Sequence, residues 1–299
     1  MGTDTRLIPQ VARSLDRRIQ GVELDKSEIN MQALRKSGRF TTVGLGVASQ
    51  FTTTTLETAT DDLLQTRSIL FWLSRNSSDN IFDPRRGDVR SFAIQRAGFG
   101  GDNYFNRIAG NYNRYVPLGS VVLAWGIRGG WVESYGPSRT DAAASIGLNG
   151  VPFEFLFQAG GNSTVRGFEN NGLGAPVTVT RFVPGGTEPV VETSTVNAGR
   201  ILLIGNIEAR FPLPWFTRWG MRGVVFVDAG NTWSDTEQMR RARWGIGYLD
   251  DYVSAADLRW SLRFGLRYAT PVGPVRLDLV LPIKRKQTGV LHLGLGHTF

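Results

Sequence analysis

Apolar and polar residues alternate along most of the chain from Arg39 onward. In residues 39–53, for example, Val43, Leu45 and Val47 stand at every second position. Because successive side chains of a strand point to opposite faces, this period predicts β-strands with one apolar face. The other runs of this kind cover residues 68–75, 88–100, 104–116, 120–133, 200–211, 221–233, 258–270, 274–283 and 289–299. The pattern predicts about ten strands, most of them near the roughly 9–11 residues that cross a bilayer when tilted.

Short turns and long loops alternate between these runs. Residues 212–214 form a tight connection, whereas residues 234–257 form a long one. That alternation is typical of outer-membrane barrels. A soluble sandwich also has one apolar face per strand, but its polar face meets bulk water, whereas a barrel encloses that face in a lumen. Arg259, Arg263 and Arg267 share one face of their run and favour a lumen. We therefore predict an all-β fold, an antiparallel transmembrane β-barrel of the outer-membrane type.

The first 38 residues differ from the rest of the chain. Within residues 27–36, Ser27 is a candidate helix cap and Gly38 a candidate stop, which predicts a short helix. We assign residues 1–38 to a non-barrel segment, either the remnant of a periplasmic domain or early strands, and residues 39–299 to the barrel. The N-terminus lacks a basic and then apolar signal segment, so we expect a mature piece and not a whole precursor.

Composition narrows the function classes. The chain has no cysteine, which excludes disulfides and thiolate sites, and it has no run of roughly 20 apolar residues, as a membrane-spanning helix would need. The net charge is +8, but the arginines stand in strands, so we expect no nucleic-acid partner. The two histidines, His292 and His297, are expected to be strand residues, and no metal or cofactor is predicted.

The most unusual segment lies in the long loop at residues 134–199. Residues 160–168 are Gly-Gly-Asn-Ser-Thr-Val-Arg-Gly-Phe. An arginine held on such a glycine-rich loop needs carboxylate partners if it is buried. Glu208 and Asp228 lie on the polar sides of the next two strand-like runs. We predict an internal ionic cluster of Arg166, Glu208 and Asp228.

This loop resembles the conserved loop motif of the BamA/TamA superfamily of outer-membrane assembly and translocation proteins, also called the bacterial surface antigen family. Residues 75–87, 226–233 and 270–278 resemble other segments of that family in the same order. The resemblance implies a sixteen-stranded barrel in which the loop folds back into the lumen and its arginine pairs with Glu208 and Asp228. The loop motif consists of Val165, Arg166, Gly167 and Phe168. The early strands and the periplasmic domains of the family are not recognised in this sequence, so the barrel is expected to be truncated.

The end of the chain resembles the terminal strand signal that such assembly machines recognise in their clients. Its residues are Gly289, Leu293, Gly294, Leu295, His297 and Phe299. The resemblance implies that this strand is half of a lateral seam. It also implies a location in the bacterial outer membrane, with the lipid bilayer, unfolded outer-membrane protein clients and accessory assembly proteins as partners.

The function implied by the resemblance is non-covalent insertion or translocation of other proteins. Two alternatives stay open, a polypeptide secretion pore of the two-partner type and the barrel anchor of a patatin-like phospholipase. The phospholipase would need a Gly-x-Ser-x-Gly elbow, and the sequence contains none. We therefore expect no enzymatic activity and no catalytic residue in this chain.

Overall fold

The computed structural model describes residues 5–19, 22–56, 59–60, 63–81, 83–140, 147–161, 163–183, 190–214, 216, 221–245, 254–268, 275–282 and 290–295. The strands in chain order are β1 (Thr5–Ile19), β2 (Val22–Ser37), β3 (Thr41–Leu56), β4 (Ala59–Thr60), β5 (Leu64–Asn76), β6 (Gly87–Ala97), β7 (Phe105–Leu118), β8 (Val121–Ser134), β9 (Gly147–Leu148), β10 (Val151–Pro152), β11 (Pro176–Val183), β12 (Val190–Asn197), β13 (Ile201–Pro212), β14 (Met221–Trp233), β15 (Arg259–Tyr268), β16 (Val275–Pro282) and β17 (Val290–Leu295). The helices are α1 (Pro137–Thr140) and α2 (Thr236–Arg241), with one 3-10 turn at Phe153–Phe155. No helix in these ranges is long and apolar enough to cross a bilayer.

One large antiparallel sheet dominates the structure. Its strand order is β1-β2-β3-β5-β6-β7-β8-β13-β14-β15-β16-β17, and the two-residue β4 pairs with β3. Neighbours in the chain are therefore neighbours in the sheet, except that residues 135–200 are inserted between β8 and β13. The all-β prediction is confirmed, and each predicted strand has a counterpart in the sheet. The hairpin of β11 and β12 within the insertion was not predicted.

The helix predicted at residues 27–36 is wrong. That segment belongs to β2, which pairs with β1 on one side and β3 on the other. Gly38, expected to stop a helix, instead has a φ of +72° in the turn between β2 and β3. Ile29 and Met31 do alternate with polar neighbours, and pairing on both edges outweighs a local capping signal. The sheet therefore begins before residue 39.

The two faces of the sheet differ in polarity, as the alternation predicts. On the outward face, Phe71, Ile127, Ile207 and Phe264 are exposed in different strands. On the opposite face, β13 and β15 carry buried polar and charged residues such as Glu208 and Arg263, whereas β8 carries mainly small and apolar residues. Since these polar groups face one another across an interior, the arrangement is that of an outer-membrane barrel wall.

The sheet is curled, because contacts cross its interior. Arg210 on β13 donates a hydrogen bond from Nη1 to the carbonyl oxygen of Pro84 at 2.8 Å, in the turn between β5 and β6. Arg222 on β14 forms an ion pair with Asp83 of the same turn at 2.6 Å. From the inserted segment, Glu154 accepts a hydrogen bond from Gln50 of β3 at 3.4 Å. The β5–β6 turn thus reaches β13 across two intervening strands and β14 across three.

The loop between β14 and β15 folds onto the outward face of the sheet. Trp233 is fully buried there and stacks on Trp244 with ring centroids 5.7 Å apart. Asp257 closes the loop: its carboxylate accepts hydrogen bonds from the backbone N–H of Arg243 at 3.0 Å and of Ser254 at 2.9 Å. The guanidinium of Arg243 completes the contact at 2.8 Å. One carboxylate therefore joins the segment after α2 to the residues that lead into β15.

A lysine at Ile127, at the middle of β8 on the outward face, is expected to impair membrane insertion. A charge at the lipid-facing midplane costs about 2–4 kcal/mol in such barrels. The matched control is Ser91→Lys, on the inward face of β6, which meets the lumen and should insert normally. The measurement is the fraction of each refolded variant that co-floats with liposomes. Equal insertion of the two variants would contradict a lipid-facing outward surface.

The β14–β15 loop is expected to open in acid. Burial alone would raise the pKa of Asp257. Hydrogen bonds from Arg243 and Ser254 lower the pKa by more than burial raises it, so the pKa lies below its usual value. A lowered folded pKa stabilises the loop above the unfolded pKa of about 3.9, and this contribution disappears as the pH falls through the folded value. Near-ultraviolet circular dichroism of the stacked tryptophans should therefore weaken below about pH 4. Asp257→Asn should show the weakened signal already at neutral pH, and a wild-type signal from that variant would overturn the assignment.

Candidate functional site: the arginine loop inside the sheet

The inserted segment returns along the inward face of the sheet. Isolated bridges join Phe157 to Gly199 and Ala159 to Leu173. Between Ala159 and Leu173 the chain makes a tight loop. In this loop Thr164 Oγ1 accepts a hydrogen bond from the backbone N–H of Gly160 at 2.9 Å and donates one to the carbonyl oxygen of Gly160 at 2.8 Å. Gly160 has a φ of +105°, a conformation that favours glycine. The glycine-rich sequence thus turns the loop tightly enough to project its arginine.

Val165 anchors the loop by apolar packing. Its side chain is fully buried in the core cluster that also contains Leu202 and Ile204 of β13. Gly230 on β14 makes room for it, because a β-carbon there would lie 2.8 Å from Val165 and 2.9 Å from Ile204. Phe168 packs against the same cluster at the other end of the motif. The loop therefore sits in a fitted position on the wall.

Arg166 and Asp228 form a buried bidentate pair. Arg166 Nε donates to Asp228 Oδ2 at 2.6 Å and Nη2 donates to Oδ1 at 2.5 Å. The backbone N–H of Arg166 adds a third contact to Oδ2 at 3.2 Å. The side chains are 2% and 0% exposed, so the pair is shielded from solvent. A fork of two parallel hydrogen bonds fixes both position and orientation of the loop.

Two further residues complete the contact. Asn206 on β13 donates from Nδ2 to Asp228 Oδ1 at 2.8 Å and to the carbonyl oxygen of Thr164 at 3.0 Å. The guanidinium of Arg166 lies 4.0 Å from the ring centroid of Phe226, in cation–π geometry. Neither residue was predicted. Asn206 stands on the polar side of its run, so the alternation placed it on the right face, but only the register shows that it lies opposite Asp228.

Glu208 lies on β13, two residues after Asn206 and on the same inward face. Its Oε1 accepts a hydrogen bond from Nε of Arg210 at 2.5 Å, and its charge also acts on Arg166. The structure therefore brings Arg166 to Asp228 and places Glu208 with a second arginine. Since β13 and β14 are paired, the two ion pairs lie side by side on the inward face.

A third acidic residue continues the row on the neighbouring strands. Asp278 on β16 pairs with Arg267 at 2.5 Å and lies 3.7 Å from Arg263, both on β15. Arg267 also faces the ring of Phe226 at 5.0 Å, on which Arg166 stacks. The Nε and Nη2 atoms of Arg263 lack hydrogen-bond partners among the described residues. The interior wall beside the loop thus holds more arginine than carboxylate.

The predicted terminal strand is described only in part. Leu293, Gly294 and Leu295 belong to β17 and pair with Leu277, Arg276 and Val275 of β16. Gly289, His297 and Phe299 lie outside the described residues. The described part of the chain contains no group of three or more His, Cys, Asp or Glu residues that could hold a metal ion.

A protein-family model, a curated protein and a solved structure all match this chain. The model described as the Omp85 superfamily domain matches residues 19–299. The chain is 23% identical over 240 residues to the outer membrane protein assembly factor BamA of Neisseria meningitidis serogroup B, covering 75% of this chain and 28% of that protein. The crystal structure of BamA from Haemophilus ducreyi lacking POTRA domains 1-3 is similar with a TM-score of 0.70 and 18% identity, covering 97% of this chain and 57% of that one. The predicted outer-membrane barrel fold is confirmed, and the chain spans only part of both relatives.

Loss of the buried ion pair is expected to be strongly destabilising. Asp228→Asn leaves the guanidinium of Arg166 without its counter-charge, which typically costs about 3–5 kcal/mol. Arg166→Lys keeps the charge but loses the bidentate fork and the stacking on Phe226, so it should also lower stability. The measurement is the urea midpoint of the folded protein in detergent. The double variant Arg166→Met/Asp228→Asn removes both charges and should recover part of the loss, and strictly additive losses would contradict direct coupling.

Proposed function

The chain belongs to the Omp85 superfamily, and on this premise we propose that it inserts or translocates other outer-membrane proteins by non-covalent strand exchange. Its outer-membrane barrel fold accords with a location in the bacterial outer membrane. The proposed clients are unfolded outer-membrane proteins, with accessory assembly proteins as further partners. The name of the similar BamA of Neisseria meningitidis states an assembly role. Both similar BamA proteins are longer than this chain.

The observation that carries the proposal is the match to the Omp85 superfamily domain over residues 19–299, and the bordering strands of the large sheet are the proposed contact for clients. Among the described strands, β1 pairs only with β2 and β17 only with β16. An unpaired strand edge in lipid is costly, because no water is present to bond its N–H and C=O groups. A client strand that pairs with either edge would relieve that cost. The proposal assigns the β17 edge, with Leu293, Gly294 and Leu295, to a lateral seam.

In this mechanism the arginine loop stays attached to the middle of the sheet while strands at the edges change partners. It is held to β13 and β14, which lie three strands or more from either edge in the sheet order. The edges can then change partners while the loop and its wall keep their arrangement. We assign Val165, Arg166, Gly167 and Phe168 to this positioning role, with Asp228 as the direct counter-charge and Glu208 as a neighbouring one.

The test is the folding rate of an unrelated outer-membrane barrel into liposomes that contain this chain. We expect acceleration over empty liposomes, and we expect Arg166→Ala to lose most of it. The control Arg85→Ala removes an exposed arginine from the β5–β6 turn and should retain the acceleration. All variants are first shown to be inserted. No acceleration by inserted wild-type protein would overturn the insertase proposal.

Crosslinking in the same liposomes separates insertion from passage through the lumen. Since the chain has no cysteine, single cysteines can be placed without background. A stalled client should crosslink to Cys at Ala12 on β1 or Leu293 on β17 if it pairs with the edges. Crosslinks concentrated at the inward Ser91 would instead favour the polypeptide secretion pore.

A further inference from the structure

Three arginines cluster on the outward face near the short-turn end of the sheet. Arg75 of β5 lies directly opposite Arg90 of β6, and Arg114 of β7 lies directly opposite Asp88. Like charges that face each other across a strand pair are destabilising unless something compensates them. The cluster therefore calls for a counter-charge.

Asp88 supplies only one negative charge to this cluster. Its Oδ2 accepts a hydrogen bond from Arg90 Nε at 2.5 Å, and its Oδ1 lies 3.7 Å from Arg114 Nη1. The Oγ of Ser77 donates to the same Oδ1 at 2.8 Å, so both oxygens of the buried carboxylate are engaged. Three guanidinium groups against one carboxylate leave an excess of positive charge at this point of the wall.

Arg75 has an unused hydrogen-bond donor. Its Nε is buried and has no hydrogen-bond partner among the described residues. The guanidinium also lies 5.8 Å from the ring centroid of Phe40, in cation–π geometry. A buried N–H without a partner is costly, and a turn of the Arg75 side chain toward an incoming anion would remove that cost.

The cluster stands where the outward apolar surface ends. On β5 and β6, Phe71, Phe92 and Ile94 are exposed on the same face, further from the short turns. Tyr112 lies beside the cluster, with its ring 5.1 Å from the guanidinium of Arg90. Aromatic and arginine side chains at the end of an apolar band are typical of the membrane–water interface. The short turns of such barrels face the periplasm.

We propose that Arg75, Arg90 and Arg114 bind the phosphate of an anionic phospholipid in the leaflet next to the short turns. The arginine fork matches phosphate geometry, and basic clusters at this depth attract anionic headgroups. The apolar residues beside the cluster would contact the acyl chains of the same lipid. Free phosphate shares the headgroup chemistry but gains nothing from that surface, so the lipid is the occupant that fits.

The test is native mass spectrometry of the full chain in detergent with added phosphatidylglycerol, phosphatidylcholine or inorganic phosphate. Wild-type protein should retain phosphatidylglycerol about tenfold or more over phosphatidylcholine. Arg75→Gln/Arg90→Gln should lose this preference, because interfacial arginines supply the attraction to the anionic headgroup. A heat-modifiable gel shift confirms that each variant is folded, and Arg114→Gln alone is used if the double variant is not.

The matched control is Arg85→Gln/Arg86→Gln, which removes the same charge from exposed positions of the adjacent turn. This control should keep the preference for phosphatidylglycerol. The proposal is overturned if the control loses as much as the cluster variant, or if wild-type protein shows no preference. Displacement of the lipid by millimolar inorganic phosphate would also overturn it, since the site would then bind free phosphate.

Discussion

The buried pair of Arg166 and Asp228 is the contact on which the interior of this protein depends. It joins a loop that has little regular structure to a wall of regular strands, and it does so with both side chains shielded from solvent. Asp228 also accepts from Asn206 and from the loop backbone, so a single carboxylate coordinates three groups that different parts of the chain supply. In a low-dielectric interior such a carboxylate must be fully satisfied, which leaves the loop few alternative positions.

Arginine has different partners on the two sides of the same wall. Toward the interior, Arg166, Arg210 and Arg267 each meet a buried carboxylate at hydrogen-bond distance. On the outward side, Arg90 and Arg114 share the single carboxylate of Asp88, and Arg75 lies opposite Arg90. Each of these three interior arginines therefore has its own carboxylate partner, whereas the outward arginines outnumber theirs. Strand alternation separates the two sets, because odd and even positions face opposite environments.

Much of the sheet could be predicted from the sequence, because a period of two is visible without knowledge of the partners. Arg166 and Asp228 could be singled out because charged residues stand on a glycine-rich loop and on the polar side of a run. Asn206 and Phe226 could not be assigned to the site, since their part depends on the register between β13 and β14. The segment of β2 was misjudged for a related reason: Ser27 and Gly38 carry a local signal, whereas its pairing with β1 and β3 is non-local.

The insertion between β8 and β13 has a consequence for how the chain folds. The other pairings of the large sheet join neighbours that shorter connections separate, but β8 can meet β13 only after residues 135–200 have been placed. The contacts of Arg210 with Asp83 and Pro84 then join residues that are 127 and 126 positions apart in the sequence. Contacts of such separation form late, because the entropy of closing the loop is lost before they stabilise anything. We therefore expect two groups of hairpins to form first and the pairing of β8 with β13 to join them into one sheet.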